Sequence, residues 1–296
     1  MGLALPRSEL KSYIITRSRH VNSEDYRHSF AIGEMHKDCM KNLDVFDGVE
    51  VHALGWPRLD LWREPFHPLY KSEVEQIQKE NGNYYLLVSS FGTISESTYK
   101  EAVRQYEEEY DLNPEVSHFN YRHFKSCLKL IDELSPMLTG DESIIVRPHT
   151  SESVEEWESL LKDYPNVHIR HEGDITPWLI AAKGTIQFGS TVAVQAACMG
   201  APSIQLHNDE EILGVTDTAA YEVLKSAQSA QEVLCFLRDS ATHAPAENKQ
   251  RAIKKLEGLA SSMEGPMAST QIADILNCIK VAPQPPIHFA WPRRFV

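Results

Sequence analysis

"GTIQFGSTVAVQAACMGAP", residues Gly184 to Pro202, spells out one complete unit of a folding pattern. A short β-favouring run, Thr185 to Phe188, meets Gly189, Ser190 and Thr191. A helix of small residues follows, Val192 to Met199, in which Ala193, Ala196 and Ala197 allow close packing on a sheet. Gly200 closes that helix as a C-cap, and Pro202 to Leu206 opens the next strand. Gly189 lets the chain turn tightly, and the hydroxyl of Ser190 or Thr191 can cap the helix. The first free N–H groups, with the positive end of the helix dipole behind them, form an anion-site candidate. Taken alone, the same triplet also reads as an ordinary N-cap.

The pattern repeats upstream. "SIIVRPHTSES", Ser143 to Ser153, runs a strand (Ser143 to Val146) into Arg147, Pro148 and His149 before a helix over Val154 to Lys162. Next come a strand over Val167 to Ile169 and a helix over Thr176 to Ala182. Strands alternating with helices through short loops predict a parallel sheet covered by helices. Tyr84 to Val88 is continuously apolar, as expected of a strand buried on both faces. A helix over Lys71 to Glu80 precedes it, and two amphipathic stretches follow, "ESTYKEAVRQYEEEYDL" and "HFNYRHFKSCLKLIDELSPML". Nearer the N-terminus, Ser29 to Ile32 reads as a strand, and Val49, Val51 and Ala53 alternate as a half-buried strand would. Downstream, helices are predicted over Asp217 to Ser226, Ala230 to Arg238, Ala246 to Ser262 and Ala268 to Ile279, then a proline-rich irregular tail.

Composition excludes several functions. The 296 residues carry a formal net charge of -13, a poor match for nucleic-acid binding, which relies on clustered cations. Five scattered cysteines contain no CxxC pair, so reduced thiols of a cytosolic protein are expected. No apolar run approaches the ~20 residues of a membrane helix, and the charges after the first apolar patch argue against a signal peptide. There is no Asp-x-Asp and no His/carboxylate spacing of a ligand set, so neither metal nor cofactor is expected.

In open parallel sheets, ligands bind outside the carboxyl ends of the strands. A phosphate at Ser190 would face backbone donors there, with His149 and Arg147 adding side-chain donors from a neighbouring loop. Each residue also has a structural reading. His149 could be a hydrogen-bonded structural histidine. Arg147 could pair with Glu152 or Glu155. "GWPRLD" could be a turn with a local Arg58–Asp60 ion pair. Trp157 and Trp178 read as core, and the Glu107–Glu109 run as a solvated helix face.

The segments "GWPRLDLW", "YYLLVSSFG", "IIVRPHTSES", "NVHIRHEGDITPWLIAAKGTIQFGST" and "LEGLASSMEGPMASTQIADIL" resemble, in this order, a family of bacterial surface-carbohydrate biosynthesis proteins. That family is related to Kdo transferases of capsule and O-antigen synthesis and, more distantly, to CDP-glycerol glycerophosphotransferases. The resemblance implies a glycosyltransferase-B-like α/β fold: one complete Rossmann-like parallel-sheet domain plus a truncated N-terminal domain remnant. The expected division is 1–70 for the remnant and interdomain turn (Gly55, Arg58, Asp60), 71–281 for the nucleotide-sugar-binding domain, and 282–296 for the tail. It further implies that His149 acts catalytically on the leaving phosphate, and that Arg147, Gly189, Ser190, Thr191, Asp174 and Gln195 surround the donor nucleotide, often a CMP-sugar. Asp174 equally suits the N-cap of the helix it precedes. Gln195 stands where the family usually has Glu, so it offers hydrogen bonds without charge.

The implied activity is transfer of a sugar from a nucleotide-sugar to a surface polysaccharide or glycolipid, at the cytoplasmic face of the membrane and with peripheral membrane association. Only about 55 residues precede Gly55, against ~100 for a complete domain, so a partner chain could supply the acceptor side. Two other readings stay open: a non-catalytic nucleotide-binding or interaction module, and a nucleotide-sugar epimerase-like enzyme.

Overall fold

A computed structural model describes residues 9–22, 24, 26–92, 95, 97–108, 115–206, 218–239 and 245–279. The predicted tail and the Glu107–Glu109 side chains lie outside the described residues. The described residues form eight strands: β1 (His28–Ala31), β2 (Glu50–Ala53), β3 (Asn83–Val88), β4 (Glu142–Arg147), β5 (Val167–Ile169), β6 (Gly184–Gln187), β7 (Ser203–Leu206) and β8 (Lys225–Ala227). β1 and β2 form a small parallel pair. The other six form one parallel sheet in the order β5-β4-β3-β6-β7-β8. Counted from β3, that is the 3-2-1-4-5-6 order of doubly wound dinucleotide-binding folds.

The apolar run in β3 explains its central place. Successive side chains point to opposite faces, so Tyr85 and Leu87 enter one core while Tyr84, Leu86 and Val88 enter the other. On the first face lie helices Glu115–Leu134, Val154–Leu161 and Ala230–Asp239, which bring Phe124, Ile131, Trp157 and Leu234. On the second lie Lys71–Asn81, Ile175–Ala181 and Thr191–Met199, with Ile77, Trp178 and Ala196. Trp157 and Trp178 are therefore core. Leu86 and Leu87 are completely buried, each stabilising by about 1.5–3 kcal/mol.

One sequence expectation needs correction here. Asp217 to Ser226 does not form one helix: within the described part, a short helix, Ala219–Glu222, gives way to β8. β8 is a three-residue edge strand with Lys225 and Ser226 exposed, so it carries no apolar run to signal a strand. Residues Leu10–Ser18 form a further helix. Its Leu10 and Ile14 join Ala31, Met40, Phe46 and Val51 in a separate core around β1 and β2.

The C-terminal part of the chain returns to this N-terminal unit. Ser261 N–H donates to the Ile32 carbonyl (2.8 Å), and Met35 N–H donates to the Gly258 carbonyl (3.0 Å). Gly55 has φ +90°, and a Cβ there would meet the Ser261 carbonyl oxygen at 2.4 Å, so this position requires glycine. Asp60, 3% exposed, accepts from Ala268 N–H (3.0 Å) and Ser269 N–H (2.8 Å), satisfying two first-turn donors of helix Ala268–Cys278. Arg63 stands 3.7 Å from the same carboxylate and donates to the Gly265 carbonyl (2.7 Å). The expected Arg58–Asp60 pair is absent: Arg58 lies over the Trp56 ring, 5.7 Å from its centroid. Among the described residues, no helix is long and apolar enough to cross a membrane.

Two stability predictions follow from these contacts. Asp60→Ala leaves two helix N–H groups without their acceptor and Arg63 without its ion-pair partner, and should lower the unfolding free energy by about 1–3 kcal/mol, read as a shift in the urea midpoint. Glu142 is held down to about 2: burial opposes its charge, but hydrogen bonds from Tyr85 Oη (2.6 Å), Arg238 Nη2 (2.9 Å) and Thr139 N–H (3.0 Å) outweigh burial. A depressed carboxyl stabilises the fold fully above its ordinary value of 4.5 and loses that contribution as pH falls towards about 2. Glu142→Gln should flatten that part of the acid limb in urea titrations across the same window.

Candidate functional site

The sheet order creates the site. Val88, the last residue of β3, pairs with Arg147 of β4 on one side and Gln187 of β6 on the other. The β4 and β6 ends therefore stand two strand spacings apart, about 10 Å, with β3 between them. Connections leave β3 and β6 in opposite directions, which opens the crevice where such folds hold ligands. Three short segments follow these strand ends: Ser89 to Gly92 after β3, Pro148 to Ser153 after β4, and Phe188 to Ser190 after β6.

A hydrogen-bonded network organises the first two. His149 N–H donates to Ser89 Oγ (3.3 Å), and Ser89 Oγ donates to Glu152. Glu152 also accepts from Phe91 N–H (2.7 Å) and Trp157 Nε1–H (2.9 Å). Burial pushes its carboxyl above the usual range, against the pull of these hydrogen bonds. Beside it opens a cleft of about 180 Å³ lined by Gly92, Ser95, Thr98, Ser151, Glu152 and Trp157, among others. The His149 ring is exposed. Its Nδ1 lies 2.7 Å from Ser151 Oγ and accepts from Ser151 N–H (3.3 Å). A backbone N–H can only donate, so Nδ1 is the acceptor and the ring proton sits on Nε2.

On the β6 side, Ser190 caps helix Thr191–Met199: its Oγ accepts from Val192 N–H (3.2 Å) and donates to Gln187 Oε1 (3.3 Å). Ala193 N–H turns back to the Ser190 carbonyl (3.0 Å). Among the described first-turn donors, those of Ser190 and Thr191 remain without a described partner. Gly189 N–H is held by Gln205 Oε1 (3.1 Å). Gly189 has φ +73°, and the Tyr221 ring packs so closely that a Cβ would sit 2.2 Å from it.

The remaining candidates hold loops. Arg147 is buried; it donates to the carbonyls of Glu172 (2.6 Å) and Gly173 (3.0 Å) and lies over the Trp178 ring, 5.2 Å from its centroid. It therefore pairs with neither Glu152 nor Glu155, but fastens the loop after β5. Asp174 caps the helix it precedes, accepting from Thr176 N–H (2.8 Å). Gln195, 2% exposed, donates to Thr176 Oγ1 (2.9 Å) and lies 3.7 Å from Met199 Sδ. His149 stands on the β4 side of β3 and Gly189, Ser190 and Thr191 on the β6 side; Gly55, Arg58 and Asp60 belong to the C-terminal return. Ser89, Ser151 and Glu152 were not singled out from sequence as site residues. The one local signal was position, since Ser89 directly follows the continuous apolar strand.

No protein-family model matches the chain, and no curated protein does. Solved structures do. A variant of the wall teichoic acid polymerase TagF aligns with TM-score 0.52 at 12% identity, over 88% of this chain and 60% of that one. A TagF variant soaked with CDPG aligns with TM-score 0.51 at 13% identity, over 88% and 59%. A UDP-GlcNAc 2-epimerase from Methanocaldococcus jannaschii reaches only 0.47 at 13% identity, over 84% and 60%, too loose a likeness to argue from. The fold is glycosyltransferase-B-like, as the sequence resemblance implied. The chain spans about three-fifths of the TagF chains it matches.

Glu152→Gln replaces an acceptor of three hydrogen bonds by a group with one acceptor oxygen. It should cost about 1–3 kcal/mol of stability, measured by chemical denaturation.

Proposed function

We propose that the crevice binds a nucleotide-activated donor, a CMP-sugar or a related phosphate-linked group, and that the chain transfers the activated group to a surface polysaccharide or glycolipid acceptor. The observation that carries this reading is the exposed His149 ring at the switch point, with Nδ1 engaged by Ser151 and the proton on Nε2. Nε2–H would donate to the donor's phosphate. The N–H groups of Ser190 and Thr191, at the positive end of helix Thr191–Met199, would approach the same phosphate from the β6 side. As the bond to the transferred group breaks, negative charge grows on the leaving nucleotide phosphate, and donors fixed beforehand stabilise it without reorganising. The TagF fold, seen with CDPG in one of its structures, supports this class of donor. The acceptor would meet the chain at the inner membrane face.

A second reading, a non-catalytic nucleotide-binding or interaction module, is favoured by Gln195. Its amide is buried against Thr176, so in this arrangement it makes no contact with a donor ribose.

Calorimetric titration of CMP, CDP and UDP into the full chain separates the two. The transferase reading expects selective binding of a cytidine nucleotide, weakened in His149→Ala with the melting temperature unchanged, because the ring is exposed. With a competent donor and acceptor, His149→Ala should lower turnover by about 10²–10³. Binding of none of the three nucleotides would favour the interaction module, and equal turnover in the two proteins would remove His149 from the chemistry.

A further inference from the structure

Away from the crevice, three side chains of metal-binding type converge on the β1–β2 pair. Parallel pairing sets His28 opposite Glu50 and Phe30 opposite His52. Residues two apart on a strand share a face, so register alone gathers His28, Glu50 and His52. His28 Nδ1 lies 3.1 Å from His52 Nε2 and 3.6 Å from Glu50 Oε2; His52 Nε2 lies 3.7 Å from Glu50 Oε1. A tetrahedral ion with bonds of ~2.0–2.1 Å holds neighbouring ligand atoms about 3.3–3.4 Å apart; the two imidazole nitrogens stand near that separation, and each has one Glu50 oxygen within 3.7 Å. The His28 and His52 side chains are mostly buried, at 23% and 16% exposure, and Phe30 stacks on the His52 ring with centroids 5.6 Å apart. The rings are thus held in place, and Glu50 remains reachable from solvent.

We infer that His28, Glu50 and His52 bind a divalent transition-metal ion of the zinc class. Two imidazoles and one carboxylate are borderline ligands that suit zinc better than the all-oxygen preference of Mg²⁺ or Ca²⁺. Three protein ligands leave a fourth position. It faces a groove of about 1270 Å³ that Arg27 and, from helix Ala268–Cys278, Asp274 and Cys278 also line. An ion there would cross-link β1 to β2 at the ends of those strands where His28 and Glu50 lie. The sequence reading expected no metal because it sought closely spaced ligands; here His28 and His52 are 24 positions apart and meet only through strand pairing.

The test titrates Zn²⁺, with Mg²⁺ as control, into the full chelator-treated chain and reads stoichiometry by calorimetry and melting temperature by thermal scan. One equivalent of Zn²⁺ should bind and raise the melting temperature by linkage, and Mg²⁺ should do neither. His28→Ala/His52→Ala should lose that equivalent. Glu50→Ala alters an exposed side chain and should keep the metal-free melting temperature while losing most of the Zn²⁺-induced rise. Cys278→Ser should retain the bound equivalent. Unchanged stoichiometry in the double histidine variant, an undiminished Zn²⁺-induced rise in Glu50→Ala, or loss of binding in Cys278→Ser alone would overturn the inference.

Discussion

Everything at the carboxyl edge depends on β3 being bonded on both sides. Val88 closes two parallel ladders at once, against Arg147 and against Gln187. A strand in that position has no exposed face and no free edge. The continuous apolar run Tyr84 to Val88 suits such a place, since side chains of this kind can be buried on both faces at little polar cost. Chain connections run outward from β3 in opposite directions, so a gap between them is unavoidable. The position of the crevice is thus a property of topology, and individual side chains only furnish it.

Most polar groups near the gap are committed to holding backbone. Arg147 grips two carbonyls, Asp174 and Ser190 cap helices, Gln195 ties one helix to the next, and Glu152 gathers three donors. A buried donor or acceptor left unpaired costs about 1–3 kcal/mol, so such groups find partners before they can serve a ligand. What then distinguishes His149 is exposure combined with one fixed nitrogen. The loop spans only a few residues, and Ser89 and Ser151 orient it from within the chain.

Local patterns made much of this legible. The strands from β3 to β7 and the helix after Gly189 could be read because each carries its own periodicity or cap. Gly55 and Gly189 stood out as turn residues, and both adopt left-handed backbone under close contacts that exclude a side chain. β8 escaped because an edge strand with Lys225 and Ser226 needs no apolar run. Arg147 was visible, but its partners were not: the Glu172 and Gly173 carbonyls are 25 and 26 positions away, and carbonyls leave no trace in residue identity. The histidine–glutamate cluster on β1 and β2 was hidden for the same reason, since register between distant segments is set by the fold.

The return of the chain at Gly258 to Ser261 has a bearing on biosynthesis. Ile32, Gly33 and Met35 contact residues more than two hundred positions later. During translation β1 emerges long before these backbone partners, so this corner of the molecule completes its hydrogen bonds only after Gly258 to Ser261 have been made. Contacts of such long sequence separation form slowly. The strands of the six-stranded sheet all precede Gly258, so that sheet can assemble while the β1 segment waits, partly unsatisfied, for its later backbone partners.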